Sequence, residues 1–174
     1  MTTSFSSLHP LPDAERQCQA LADLIRPTLT PSTALVGIFS GGAWIAERLA
    51  ELLNLPATTG SIDISCYRDD FAEKGLHPQV RPTRIDFDVN GRRLILVDDV
   101  LYTGRTTRAA LNELFDYGRP AAVELAVLAD RGGRELPVAP NYCVWNVALA
   151  AATGLTLSRD DAGRLSWKVE DHAA

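Results

Sequence analysis

Leu94-Ile95-Leu96-Val97-Asp98-Asp99-Val100-Leu101-Tyr102-Thr103-Gly104-Arg105-Thr106 carries a buried strand, two acids and a turn in thirteen residues. The unbroken apolar run predicts a strand covered on both faces, as in parallel sheets. The turn opens a helix expected over Thr106 to Tyr117, closed by Gly118 and Pro120. Backbone N–H groups in such a turn converge on one point, and the helix N-terminus adds positive potential. Thr103 and Thr106 add hydroxyl donors, and Gly104 lets the backbone approach a ligand closely. These are the parts of a phosphate cradle. Asp98 and Asp99 would repel a phosphate, so they suit sugar hydroxyls, or a Mg²⁺ shared with those hydroxyls and a second phosphate. A plain strand-turn-helix junction accounts for the turn but not for the doubled acid, since adjacent like charges cost stability unless something neutralises them.

Outward from this segment, strands alternate with helices. Asp13 caps a helix that ends before Pro27, with Ala14, Cys18, Leu21 and Ile25 as its buried stripe. Ala34 to Phe39 reads as a second covered strand; Ser40-Gly41-Gly42 breaks it, and a helix with Ile45, Leu49, Leu52 and Leu53 inward follows. Ile62, Ile64 and Cys66 alternate with polar residues as a half-buried strand, and Arg68 to Pro82 forms a long aperiodic loop. Ile85, Phe87 and Val89 alternate again, and Asn90-Gly91 predicts a hairpin of 84–89 onto 93–98. Val123 to Leu128 and Tyr142 to Val147 read as strands, separated by the loop Asp130-Arg131-Gly132-Gly133-Arg134. Two short strands close the chain, joined near Asp161-Ala162-Gly163. The pattern predicts an α/β fold with a mostly parallel central sheet flanked by helices, its ligand beyond the C-terminal strand ends. A single domain over residues 1–174 is expected, with a core of about 34–146, an N-terminal helix at 13–26 and a C-terminal hairpin at about 155–169.

Composition narrows the function. The 174 residues carry 17 basic and 22 acidic side chains, a net charge of −5, which speaks against a broad basic surface for nucleic acid or anionic membrane. Of the basic residues only Lys74 and Lys168 are lysines, so cationic chemistry falls to arginine forks. His9, His77 and His172 lie far apart, and Cys18, Cys66 and Cys143 form no metal-binding or disulfide spacing. No apolar run has the length of a membrane span, and Met1 to Phe5 lacks a signal-peptide start. A soluble cytoplasmic protein is the expectation.

The segment 94–106 resembles the phosphoribosyl pyrophosphate (PRPP) motif of type I phosphoribosyltransferases. Its ending from Val100 to Thr106 is similar to the branch that combines pyrimidine-gene regulation with uracil phosphoribosyltransferase activity. Ile62 to Asp70, Gly118-Arg119-Pro120 and Leu125 to Pro137 strengthen that resemblance, which spans about residues 34 to 146. It implies the type I phosphoribosyltransferase fold with a small hood and a mobile lid loop. It implies that Asp98 and Asp99 hold the PRPP ribose hydroxyls, and that Tyr102, Thr103, Gly104, Arg105 and Thr106 hold the 5′-phosphate. Ser40, Gly41 and Gly42 then bind pyrophosphate, Tyr67, Arg68, Asp69 and Asp70 begin the lid, and Asp130, Arg131 and Gly132 meet the base. The implied reaction is uracil plus PRPP giving UMP and pyrophosphate, with Mg²⁺ carried through PRPP and Asp98 and Asp99 as its candidate protein ligands. Arg68 would stabilise the departing pyrophosphate while the lid excludes water. A homodimer or larger assembly is also implied.

The chain departs from that branch in places. Many members have Thr-Arg-Gly in the pyrophosphate loop, where Ser40-Gly41-Gly42 has no arginine. The lost charge-assisted donor is worth about 1.5–3 kcal/mol. RNA-binding members carry His-Arg where Gly133-Arg134 stands, a basic residue at Ala139, lysine at Trp145, and polar or histidine contacts at Cys18, Gln19 and Ala22. RNA therefore stands as a weak partner, with Arg16, Arg26 and Arg134 as the surviving cations. The alternative to catalysis is a regulator that senses UMP or PRPP and binds leader RNA or a protein partner.

Overall fold

The computed structural model describes residues 10–64 and 82–171. The expected lid from Tyr67 to Asp70, Cys66 and the three histidines lie outside the described residues.

Helix α1 (Ala14–Ile25) starts where expected, because the Asp13 carboxylate accepts from Glu15 N at 2.9 Å and Arg16 N at 3.2 Å. Those backbone donors, Arg16 first, hold the Asp13 carboxyl below its ordinary range. Strand β1 (Thr33–Ile38) is buried along its whole length, and α2 (Gly41–Leu53) follows it. Strand β2 (Thr59–Ile62) starts earlier than the alternation of Ile62, Ile64 and Cys66 predicts, although Ile62 and Ile64 are both buried. The chain continues through β3 (Arg93–Leu101), α3 (Arg105–Asp116), β4 (Ala122–Asp130) and β5 (Tyr142–Asn146). The antiparallel pair β6 (Thr153–Arg159) and β7 (Leu165–Asp171) completes it.

The main sheet has five strands in the order β2-β1-β3-β4-β5, every pair parallel. Alternate side chains of the covered strands go to opposite cores. Leu35, Ile95, Val97, Ala126 and Leu128 pack with α1, α2 and the inner face of the β6–β7 pair. Val36, Ile38, Leu94, Leu96 and Val127 pack with Ala110 and Leu114 of α3. A three-layer α/β domain results, with a small antiparallel sheet on the α1–α2 side.

The expected hairpin of 84–89 onto 93–98 does not form. Strand β3 pairs with β1 on one edge and β4 on the other, which leaves it no free edge. Arg84 makes a single antiparallel bridge to Ser61 instead. The apolar alternation expresses burial without pairing: Ile85 and Phe87 are half-buried and Val89 is buried, all against the α3 core. Asn90-Gly91 still turns, but it clasps the α3–β4 connection, with Gly91 N donating to Arg119 O and Arg119 N to Asn90 Oδ1, each at 2.9 Å.

The sheet is fastened at its N-terminal end by Arg93. Its guanidinium forms a two-pronged pair with Glu124 (2.8 and 2.6 Å) and donates to Thr28 O at 2.8 Å and Tyr142 Oη at 2.8 Å. Tyr142 in turn donates to Glu124 at 2.8 Å. One cation thereby joins β3, β4, β5 and the turn before β1. The bond from Arg93, against the opposing effect of burial, holds the Glu124 carboxyl below its ordinary range. On the other side, Trp167 Nε1 of β7 donates to Gln17 Oε1 of α1 at 2.6 Å inside the core. Among the described residues no helix is long and apolar enough to cross a membrane.

Two stability measurements check this account. Gln17→Ala leaves the buried Trp167 N–H unpaired and is expected to lower unfolding free energy by about 1–3 kcal/mol in urea titration. Because the Glu124 carboxyl is depressed in the folded state, its stabilisation is present above its unfolded pKa of about 4.3 and is lost as pH falls below it. Glu124→Gln is therefore expected to be less stable than the parent at pH 7, with the gap closing toward about pH 3 in thermal melts.

Candidate functional site

The candidate residues gather at the C-terminal ends of β1, β3 and β4, where parallel sheets bind ligands. Strand β3 does not stop before its acids: Asp98 stays in register with Val127, and Leu101 with Asp130. Successive strand residues face opposite sides, so the acid pair is split. Asp99 lies on the α2 side, where its carboxylate abuts Gly41, and Asp98 turns to the α3 side and is buried. Each carboxylate accepts the next backbone N–H, Asp99 N to Asp98 at 3.0 Å and Val100 N to Asp99 at 2.9 Å, which holds both in place. The pleat thus relieves the repulsion expected of the adjacent acids.

Ser40-Gly41-Gly42 forms less of a loop than expected. After the cis Phe39–Ser40 peptide, Gly41 and Gly42 are already the buried first turn of α2. A Cβ on Gly42 would strike Val97 O and the Asp98 backbone. Only a residue without a side chain lets the α2 N-terminus sit directly against the acid-bearing strand.

Beyond Leu101 the chain turns through Tyr102, Thr103 and Gly104 into α3. Gly104 adopts φ +93° as the residue before the helix, and a Cβ there would also collide with Val138. Thr103 Oγ1 accepts from Arg105 N at 3.3 Å, while Thr106 stands half-buried in the first turn, whose N–H groups have no intrahelical acceptor. Thr103, Gly104 and the first turn of α3 thus stand together just past the end of β3. Arg105 turns aside: its guanidinium pairs with Glu135 at 2.7 Å, both side chains more than half exposed.

Asp130, Arg131 and Gly132 line an open cleft of about 420 Å³ together with Arg134, Asn146, Val147 and Ala148. Asp130 Oδ1 accepts from Gly132 N at 2.9 Å and Oδ2 pairs with Arg134. Burial, the largest influence, raises the Asp130 carboxyl, but Arg134 and the Gly132 N–H outweigh it and hold it below the ordinary range. The Arg131 guanidinium stacks 4.1 Å over the Tyr102 ring and donates to Ala150 O at 3.0 Å. Both charged side chains predicted for the base are thus bound within the protein, and backbone groups and the exposed Asn146 amide are left facing the cleft.

Asn146, Val147 and Ala148 were not predicted here. Their signal is topological: parallel pairing sets Asn146 beside Asp130, which no local motif encodes. Arg134, expected as a surface cation for RNA, points into the loop, and Trp145 packs edge-on against Trp167 at 5.7 Å. Arg68, Tyr67, Asp69 and Asp70 are outside the described residues. Among the described residues no group of three or more His, Cys, Asp or Glu could hold a metal.

Positions 4–150 match the phosphoribosyl transferase domain family. The bifunctional protein PyrR of Ralstonia nicotianae is 54% identical over 155 residues, 87% of this chain and 88% of its own length. That of Pseudomonas syringae pv. tomato is 53% identical over 71% of this chain and 72% of its own length. Among solved structures, a purine phosphoribosyltransferase from Pyrococcus horikoshii superposes with TM-score 0.58 at 26% identity, covering 79% of this chain and 86% of that one. A hypoxanthine-guanine phosphoribosyltransferase from Bacillus anthracis gives TM-score 0.61 at 18% identity, over 76% of this chain and 78% of that one, which speaks to the fold alone. With its parallel sheet, its split acid pair and its donor-rich turn on one strand, the chain belongs to the type I phosphoribosyltransferase family, among the PyrR proteins.

Proposed function

We propose that this phosphoribosyltransferase moves the phosphoribosyl group of PRPP to uracil, giving UMP and pyrophosphate. The observation that carries this reading is the arrangement along β3: a donor-rich helix start three residues beyond the strand, with Asp99 held against the start of α2. A 5′-phosphate on the α3 turn places a ribose over Asp98 and Asp99, and the anomeric pyrophosphate toward Ser40 and the first turn of α2. The carboxylates accept from the ribose hydroxyls and fix the sugar while the bond to pyrophosphate breaks. Positive charge grows on the ribose at that point, and nearby carboxylates stabilise it electrostatically. The base enters from the cleft between the β4 and β5 ends, where backbone groups and Asn146 can read its edge. Arg68 is assigned to the leaving pyrophosphate on its sequence motif.

Mg²⁺ fits these residues as an ion held chiefly by PRPP. A pair of carboxylates on opposite faces is no protein cage, whereas Mg²⁺ is commonly bound by one or two carboxylates plus substrate phosphates. When bound it neutralises charge on the pyrophosphate. The choice of uracil rests on the motifs of 62–70, 100–106 and 125–137 and on the PyrR relatives. The purine-named structural neighbours are 26% identical or less and do not bear on the base.

The relatives' name, "bifunctional", favours a second reading as a UMP- or PRPP-sensing regulator. RNA ranks low as its partner, since Arg134 donates inward, Trp145 is packed, and Ala139 has no charge. A homodimer or larger assembly belongs to the same proposal.

Incubation with PRPP, Mg²⁺ and labelled uracil is expected to give UMP, with hypoxanthine, xanthine and orotate much poorer acceptors; no product at high enzyme concentration overturns the reading. Asp98→Asn and Asp99→Asn are each expected to lower kcat/KM about 10- to 100-fold, the loss of an ionic acceptor, and an unaffected double variant refutes the assigned site. For regulation, titration of pyrimidine leader RNA with UMP at two salt concentrations is expected to show weak binding with a shallow salt slope; tight, sequence-dependent binding would restore RNA as the partner.

A further inference from the structure

We propose that Arg134 is a positioning residue whose guanidinium locks the base loop to the 5′-phosphate turn, so that the uracil cleft keeps its shape only while the two loops act as one unit. The inference rests on the functional reading above and adds a residue to it. Arg134 sits in the loop after β4 with its side chain about a quarter exposed. Its fork reaches the turn after β3 through one nitrogen and the end of β4 and the segment that follows it through the others. Nη1 donates to Tyr102 O of the phosphate turn at 2.7 Å and to Gly132 O at 3.4 Å. Nη2 pairs with the Asp130 carboxylate, and Nε donates to Val138 O at 3.0 Å.

The surrounding contacts make this a junction rather than a surface ion pair. Thr103 O accepts from Glu135 N at 3.0 Å and Leu136 N at 3.1 Å, and Leu101 O accepts from Arg131 N at 3.0 Å. Arg131 stacks on the Tyr102 ring, and Val138 stands on Gly104. The segment after β4 is thus laced along the turn after β3. Arg134 joins that lacing to Asp130, which also carries the cleft: Asp130 O accepts from Val147 N at 2.9 Å, placing the β5 end opposite the loop. A phosphate seated on the turn would therefore stiffen the base cleft through Arg134.

The planar fork is what the site requires. Carbonyl and carboxylate acceptors lie along three of its edges, and a lysine ammonium, a point charge on a flexible stem, cannot meet them together. An arginine that served a nucleic-acid phosphate through charge alone would tolerate lysine.

The test uses the full chain. Arg134→Gln and Arg134→Lys are each expected to raise the KM for uracil about tenfold, the loss of one charge-assisted bond, with kcat changed less than threefold. Asp130→Asn, which keeps the side-chain shape, is expected to raise the uracil KM similarly, and adding Arg134→Gln to it should raise that KM no further. A parental uracil KM in Arg134→Lys overturns the fork, and unchanged KM values in Arg134→Gln and Asp130→Asn overturn the lock. If Arg134→Gln does not fold, the uracil KM of Arg134→Lys decides. If the parent protein turns over no base, the enzymatic reading fails by itself; the lock is then tested by calorimetric UMP binding, where equal affinities of parent and Arg134→Gln overturn it.

Discussion

Strand β3 is paired along both edges, with β1 and with β4, and the acid pair and the turn into α3 hang from its C-terminal end. A central parallel strand cannot shift register without breaking two ladders and exchanging its two cores. That rigidity fixes Asp98, Asp99, the turn at Tyr102 to Gly104 and the start of α3 relative to one another. The same pairing brings Ile38 and Asp130, the ends of the neighbouring strands, to the same rim. The site is therefore a property of the sheet, and its loops need only short reach to complete it.

Arginine organises both ends of this sheet. At the closed end Arg93 collects Glu124, Tyr142 and Thr28 into one hydrogen-bonded knot. At the open end Arg131 and Arg134 are bound to Tyr102, Ala150, Asp130 and backbone carbonyls. Arg48 does the same between layers, pairing with Glu15 at 3.0 Å and donating to Gly163 O at 3.2 Å. A guanidinium can satisfy several acceptors in one plane, which suits joints where three segments meet. The scarcity of lysine thus accords with internal fastening.

Much of this was legible from residue order. The covered strands, the three helices and the turn into α3 follow from apolar runs, caps and glycine placement. The hairpin at Asn90-Gly91 was misread because alternation and a turn signal describe a pair of strands only if an edge is free, and β3 has none. The glycines after β1 read as a loop because their purpose is contact with Val97 and Asp99, residues more than fifty positions away. Arg134 read as a surface cation because its acceptors are mostly backbone carbonyls, which carry no signature in a sequence.

The sequence by itself determined the fold class, the family and which residue types stand along 98–106, because these rest on local patterns of burial, charge and backbone freedom. Tertiary structure decided how those groups are used. The pleat set Asp98 and Asp99 on opposite faces, parallel pairing brought Asn146 beside Asp130, and loop packing turned Arg105, Arg131 and Arg134 onto protein partners. Direction and partnership depend on which strands become neighbours, and that is set by the balance of two hydrophobic cores across the whole sheet.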